Sequence, residues 1–404
     1  MMGSIMPWAL VGLCFALGVA SRSISDTFVV FVPALQQAFD AHRGSVTLIY
    51  SFALLVGGIA APIAGWIVDR FGLRMLTVVG VTAATLATAS AAQATVLWHL
   101  YLGLGVVMGF GSASLSGVLS SSLLGRWFPA RRLGVALAVA WSASGVGSMA
   151  TFPLAQHLIA SDGWRHAYVV FAIASALFIP LLLFLPWARI ERGAPGLARQ
   201  RAAADRGPTV GEAVRDWPFW ALTSSFALTS VGIFSLVPQA MVYLLERGIS
   251  GPYAARALAV AGLLTPLGMI GFSWLADRGG RRLAALLAYG CSIAGVGALA
   301  LVGGPADEPW LWLYVLLFGG SMGSRGPMIS TLATLRYRGA HFGRIYGLIG
   351  IGMGLGGFFG AWIGGVLHDL TGGYTAVMLL SVTALLLAAA SLGAEAGARE
   401  RLGR

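Results

Sequence analysis

Three charges sit where charge is costly. Arg22 and Asp26 lie inside one apolar run near the N-terminus, and Arg325 lies inside another near the C-terminus. A charge near the centre of a bilayer costs at least about 2.5–3.5 kcal/mol, so it needs a partner or an aqueous cavity. Arg325 is nine residues from the basic end of its run, about 14 Å at helical rise, farther than its side chain easily snorkels. Arg22 and Asp26 are four residues apart, hence on one helix face. Asp26 is the only carboxylate in any apolar run, which makes it the membrane candidate for a proton-binding group. Arg22 and Arg325 are candidate anion ligands, because a guanidinium stays charged at any pH and its fork suits a carboxylate. The three groups sum to +1 with Asp26 ionised and +2 with it protonated, so the set favours an anion either way. The competing reading makes Arg22 and Asp26 a mutually neutralised pair that fixes helix packing.

Hydroxyls in matching stretches, Ser112, Ser114, Ser321 and Ser324, are candidate substrate contacts. Serine in a membrane helix more often bonds its own backbone. Phe28, Tyr50, Trp141 and Phe234 either wall a pocket or pack a core. Nothing suggests catalysis, and no enzyme activity or cofactor is expected. No Walker loop is present. The six His are scattered, and Cys14 and Cys291 stand alone in apolar runs, so neither a metal site nor a disulfide framework is expected.

The elements that must position these residues are membrane helices. The chain has 404 residues, 57% of them hydrophobic and 10% charged, against roughly 25% charged in a soluble protein. Mean hydropathy is +0.81. This excludes an ordinary soluble enzyme and indicates an all-α polytopic membrane protein. Apolar runs fall at about 7–32, 45–68, 75–93, 97–124, 133–160 and 166–188, then 217–245, 253–276, 283–302, 310–334, 345–367 and 375–392. These twelve runs are each long enough to cross about 30 Å of hydrocarbon as a helix. The first is too long for a signal-peptide core and is expected to be retained.

All 26 basic residues are Arg. Twenty lie in the even-numbered connections and the C-terminal tail, and four in or beside the odd-numbered ones. That bias puts both termini and the central connection in the cytoplasm. The pI near 10.4 is therefore a topology signal and a contact with anionic lipid, not a nucleic-acid footprint.

The second half repeats the first at an offset of about 205–209 residues. Gly65-Trp-Ile-Val-Asp69-Arg70-Phe-Gly72-Leu-Arg74 follows the second run. Ser273-Trp-Leu-Ala-Asp277-Arg278-Gly-Gly280-Arg-Arg282 follows the eighth with the same spacing. Phe31-Val-Pro33 matches Leu236-Val-Pro238. The expected organisation is a six-helix bundle over 1–188, a cytoplasmic linker over 189–216 with a short amphipathic piece, and a second six-helix bundle with a short tail over 217–404. Two such halves are the layout of an alternating-access transporter.

On these residues the chain resembles the major facilitator superfamily over nearly its whole length. The doubled element at 65–74 and 273–282 is that family's most specific signature. The resemblance implies that Gly65, Asp69, Arg70, Gly72 and Arg74, with Asp277, Arg278, Gly280 and Arg282, form a gate on the cytoplasmic side. Asp69 and Asp277 would face helix N-termini of the opposite half, held by Arg70 and Arg278. It also implies that the first, fourth, seventh and tenth runs line a central cavity. Small-residue rows, Gly57/Ala61/Gly65 and Gly352/Gly356/Gly360/Gly364, would be gating surfaces between halves, or else packing within a half.

Within the superfamily the chain looks like the bacterial organic-anion carriers of the oxalate–formate and monocarboxylate type. It departs from them in lacking internal Arg in the eighth and eleventh runs, and in lacking the acidic, Gly- and Trp-containing motif that monocarboxylate carriers have at the start of the first run. The fifth run, with Gly145 and Gly147 but only a later Pro153, lacks the pattern of drug–proton antiporters. The expected protein is a monomer in a bacterial inner membrane that moves a small organic anion, a carboxylate, in symport with protons. Proton-coupled drug efflux and uncoupled anion exchange are the alternatives, and a non-transporting receptor on the same fold is the rival class.

Overall fold

In a computed structural model, the backbone is described for residues 2–195 and 207–402, and side chains for these except 2–5, 22–23, 43–44, 252 and 394–402. The middle of the expected linker and the end of the tail lie outside the described residues. Every regular element among the described residues is helical. This is how a chain this apolar satisfies its backbone without water. Nine described helical segments are long and apolar enough to cross a membrane. Two of them are too long for one crossing. Ser45–Ala92 and Ala130–Phe184 have 48 and 55 residues, and each contains one glycine with non-helical dihedrals, Gly72 (φ 84°, ψ 178°) and Gly163 (φ 86°, ψ 166°).

The chain forms two compact units. The first comprises Met1–Pro129, Ala140–Ala213 and Thr334–Ile351; the second comprises Ala130–Val139, Val214–Ala333 and Gly352–Arg404. Each unit thus includes a short helical segment that the sequence places in the other half.

The first unit packs around Phe31, whose ring stacks on Tyr168 at 4.2 Å, together with Leu35, Ile49 and Leu100. The second packs around Tyr243, Leu299, Tyr314 and Phe318. The Tyr243 hydroxyl donates to the carbonyls of Leu299 and Val302, both at 3.1 Å.

The repeat is visible in where helices break. The first run is interrupted at Thr27 and the seventh at Ser235, 208 residues apart. The fourth is interrupted at Ser116 and the tenth at Ser324, again 208 apart. Wide π-helical turns occupy Val19–Ser23, Tyr101–Val107 and Val315–Gly319. Such turns are frequent at functional sites, and these three lie in the first, fourth and tenth runs.

Small residues set the closest helix approaches. The row Gly352, Gly356, Gly360 and Gly364 lies on the backbone of Thr223, Ala227, Val231 and Ser235 in its own unit. This is packing on the seventh run, within one unit. The approach to the second run is made by other glycines: a Cβ on Gly65 would lie 2.0 Å from the Gly343 carbonyl oxygen, and one on Gly347 would lie 2.3 Å from that of Ala61.

After the undescribed part of the linker, Thr209 and Glu212 close a capping box on the short helix Val210–Arg215. Thr209 N donates to Glu212 Oε2 at 2.7 Å, and Glu212 N donates to Thr209 Oγ1 at 3.3 Å. Those bonds from Thr209 hold the Glu212 carboxyl below its usual range.

Candidate functional site

Arg325 is 1% exposed. It is the first residue of the helix Arg325–Arg336, which restarts after the break at Gly323 and Ser324. Gly319, Gly320 and Gly323 bring the preceding turn against Ala261, Gly268 and Met269 of the eighth run. The guanidinium turns to the ninth. Its Nη1 donates to the Ala288 carbonyl at 3.1 Å and to Ser292 Oγ at 2.7 Å. Its carbon lies 5.1 Å from the centroid of the Tyr289 ring. The Tyr289 hydroxyl in turn shares a 2.6 Å hydrogen bond with Thr229. Arg325 Nε and Nη2 find no hydrogen-bond partner among the described residues.

Ser321 joins this cluster through Ser292, the two hydroxyls lying 2.5 Å apart. Ser324 donates to the Ser321 carbonyl at 2.7 Å, and in the first unit Ser114 donates to the Phe110 carbonyl at 3.0 Å. Both are the helix back-bonds expected of buried serines. The Ser112 hydroxyl is buried with no hydrogen-bond partner among the described residues.

Asp26 is half-buried and accepts a hydrogen bond from the Tyr50 hydroxyl at 3.0 Å. The Tyr50 ring stacks on Phe28 at 6.5 Å. Ser25, Tyr50, Met108 and Tyr168 border a small cavity beside this pair. The Arg22 backbone forms part of the π-turn Val19–Ser23. Its side chain, and with it the expected pairing or anion contact, lies outside the described residues.

The doubled loop element makes two clamps. Asp69 Oδ1 accepts from Gly343 N at 2.8 Å and Oδ2 from Arg344 N at 2.9 Å. Both amides belong to the first turn of the helix Phe342–Thr371, where N–H groups lack intrahelical partners and the dipole favours an anion. Asp277 makes the weaker copy. Its Oδ2 accepts from Val135 N at 3.1 Å, and Oδ1 has no partner among the described residues. Arg281 Nη2 reaches the Ala130 carbonyl at 3.3 Å on the same helix.

One expectation needs correction here. The carboxylates are held by backbone amides, not by Arg70 and Arg278. Arg70 lies between two rings, 5.6 Å from Phe71 and 5.8 Å from Trp66, and Arg278 lies 4.7 Å from the Trp274 ring. Each arginine is four residues after its tryptophan, so the two share an exposed helix face while the aspartate points elsewhere. Gly72 and Gly280 supply the positive φ of 84° and 103° that turns the chain after each aspartate. Arg74 and Arg282 follow on exposed positions.

Three residues at these sites escaped sequence reasoning. Tyr289 and Ser292 carried a signal, since they are among the few polar residues of the ninth run and sit three apart on one face. Glu191 carried none. It lies in the short helix Trp187–Arg192, and its Oε1 accepts from Leu73 N at 2.7 Å and Arg74 N at 3.3 Å.

Paired helix breaks, a buried cation at one of them, and carboxylate clamps repeated in both halves define a membrane transporter built on an internal repeat. The chain belongs to the Major Facilitator Superfamily, whose profile matches residues 9–351. It is 30% identical to human Monocarboxylate transporter 11 over 406 aligned positions, covering 94% of this chain and 80% of that protein. It is 28% identical to bovine Monocarboxylate transporter 13, over 94% of this chain and 87% of that one. It is 22% identical to the Bacillus subtilis MFS-type transporter YcxA, over 95% and 94%. The fold is similar to the proton:xylose symporter XylE bound to 6-bromo-6-deoxy-D-glucose, with TM-score 0.78, 16% identity and 96% and 95% coverage. It is also similar to FucP in the outward conformation, with TM-score 0.70, 17% identity and 97% and 99% coverage.

Proposed function

We propose that this protein carries a small organic anion, a monocarboxylate, across a bacterial inner membrane in symport with protons. Twelve crossings form two six-helix halves that rock about the substrate, with both termini and the linker in the cytoplasm and the monomer as the working unit. The observation that carries the anion is Arg325: a buried guanidinium, with two nitrogens unpartnered among the described residues, at a helix restart. Broken helices place their positive N-terminal ends against anionic substrate groups. Several relatives bear the name monocarboxylate transporter, which supports the same class.

Asp26 is assigned the proton, as the sole carboxylate of the apolar runs and a partner of Tyr50. Asp69 and Asp277 act as the gate: they bond helix amides from the other half of the sequence, and releasing those bonds opens the cytoplasmic side.

Uptake of radiolabelled lactate, pyruvate and acetate into proteoliposomes, with and without an inward proton gradient, tests the reading. Accumulation above equilibrium only with the gradient is the expected result. Uptake of none of the three, or accumulation independent of pH, overturns it.

A further inference from the structure

Arginine has five N–H groups in a fixed fork. At Arg325 the two on Nη1 are both used, one on the Ala288 carbonyl and one on Ser292 Oγ. The remaining three, on Nε and Nη2, have no partner among the described residues, and the side chain is 1% exposed. Buried donors are nearly always bonded, and each exception needs an explanation. Nε–H and one N–H of Nη2 point the same way, forming the side-on edge of the guanidinium. That edge matches the two oxygens of a carboxylate.

The rest of the cluster fixes which edge remains open. Ser321 Oγ donates to the Leu317 carbonyl at 2.6 Å. It therefore accepts from Ser292 Oγ, 2.5 Å away. Ser292 in turn accepts from Arg325 Nη1. The chain Arg325–Ser292–Ser321–Leu317 has every hydroxyl proton assigned by elimination. Below it, the Tyr289 ring supports the guanidinium face at 5.1 Å, and Thr229 fixes the Tyr289 hydroxyl. Rotating the guanidinium would break the bonds to both Ser292 and Ala288.

We infer that the Nε/Nη2 edge of Arg325 is the docking edge for a planar two-oxygen oxoanion, and that Ser292, the Ala288 carbonyl and Tyr289 are positioning groups that hold this edge open. The inference rests on the anion-transport reading and adds to it a substrate geometry and a set of specificity-determining residues on the ninth run. One buried cation with no acid beside it among the described residues fits one carboxylate. A spherical or linear monovalent anion engages only one N–H well, so the site discriminates by shape as well as charge. The edge is covered in this conformation, so the ligand reaches it in another step of the cycle.

Competition on the full-length protein in proteoliposomes tests this. The probe is radiolabelled lactate, and the competitors are acetate, pyruvate, chloride, thiocyanate and lactamide. Acetate and pyruvate should compete, while thiocyanate, chloride and the neutral amide at equal concentration should not. Ser292→Ala should raise the KM for lactate about tenfold, the scale of a lost bond to a charged group, with maximal rate near parental. Ser292→Thr, which keeps the hydroxyl, should restore it. Tyr289→Phe should keep the carboxylate preference, and Tyr289→Leu should lose it. Suppose thiocyanate competes as well as acetate, while Arg325→Gln abolishes binding of both. The anion site then stands and the side-on edge is wrong. Unchanged KM in Ser292→Ala beside a defective Arg325→Gln likewise overturns the positioning role. Lactate uptake that survives Arg325→Gln sinks the anion-site reading itself, and this inference with it. The competition arm needs no variant, so a misfolded substitution leaves the question decided.

Discussion

Glu191 caps the helix that begins at Leu73. Its Oε1 accepts the Leu73 amide at 2.7 Å, and a Cβ on Gly72 would lie 2.6 Å from the same oxygen. The segment carrying Glu191 is itself tied down: Arg126 Nη1 donates to the Glu191 carbonyl at 3.1 Å and Trp127 Nε1 to that of Ile190 at 2.9 Å. The loop at 65–74 is therefore gripped at two points. Asp69 holds the first turn of Phe342–Thr371, and Glu191 holds the turn that follows Gly72.

Gly72→Ala should be more damaging than Glu191→Gln. Gly72 has φ 84° and ψ 178°, a region essentially reserved for glycine and costing about 1–3 kcal/mol for other residues. The added methyl also meets Glu191. Glu191→Gln keeps one acceptor and loses the charge, a cost of about 1 kcal/mol at a helix N-terminus. Melting of purified protein in detergent should show the larger drop for Gly72→Ala. Equal melting temperatures for both variants and parent would remove Glu191 from the clamp.

Asp69→Asn should slow transport more than Asp277→Asn. Asp69 takes two first-turn amides and Asp277 one amide farther along its helix. Charge-assisted bonds are worth about 1.5–3 kcal/mol each, so tenfold or more in rate is expected for Asp69. Initial uptake rates at matched expression measure this. Parental rates in both variants would show that the clamps do not gate.

The membrane class, the helical elements and the doubled loop were legible because they repeat or have a period. Each half carries the same aspartate at the same spacing, and the structure places both on helix amides. The fate of Arg70 and Arg278 was not legible, since a tryptophan four residues earlier competes with an adjacent carboxylate and only geometry decides. Arg325 stood out in the sequence as a charge in an apolar run; its partners did not, because Tyr289 and Ser292 reach it from a different helix. The row at Gly352–Gly364 followed the small-residue rule but met the seventh run, as spacing predicts closeness and not the neighbour.

Two glycines should separate gating from folding. At Gly356 a Cβ would lie 2.2 Å from the Ala227 carbonyl oxygen, deep in a packed pair of helices. Overpacking of this kind costs typically about 1–3 kcal/mol, so Gly356→Ala should lower melting temperature and yield. At Gly65 the clash is with the Gly343 carbonyl, next to the amides that Asp69 holds. Gly65→Ala should cost stability on the same scale, but by displacing that turn it should also mimic Asp69→Asn and slow transport per folded molecule, which Gly356→Ala should not. A Gly65→Ala protein that is unstable yet transports normally per folded molecule would contradict this.

The coupling assignment makes the most selective demand. If Asp26 carries the proton, Asp26→Asn removes the only titratable carboxylate of the apolar runs while keeping a group that can accept the Tyr50 hydroxyl. Net accumulation driven by a proton gradient should vanish. Exchange of internal for external substrate needs no net proton movement and should continue, with its pH dependence flattened. Tyr50→Phe keeps the ring that stacks on Phe28 and removes the hydroxyl that donates to Asp26. It should therefore alter the pH profile of uptake without abolishing accumulation. Counterflow and gradient-driven uptake, measured on the same vesicles, separate the two activities. Loss of both in Asp26→Asn, with loss of folded protein, would make Asp26 a packing residue. Undiminished accumulation would move the proton to another group, leaving the anion site at Arg325 untouched.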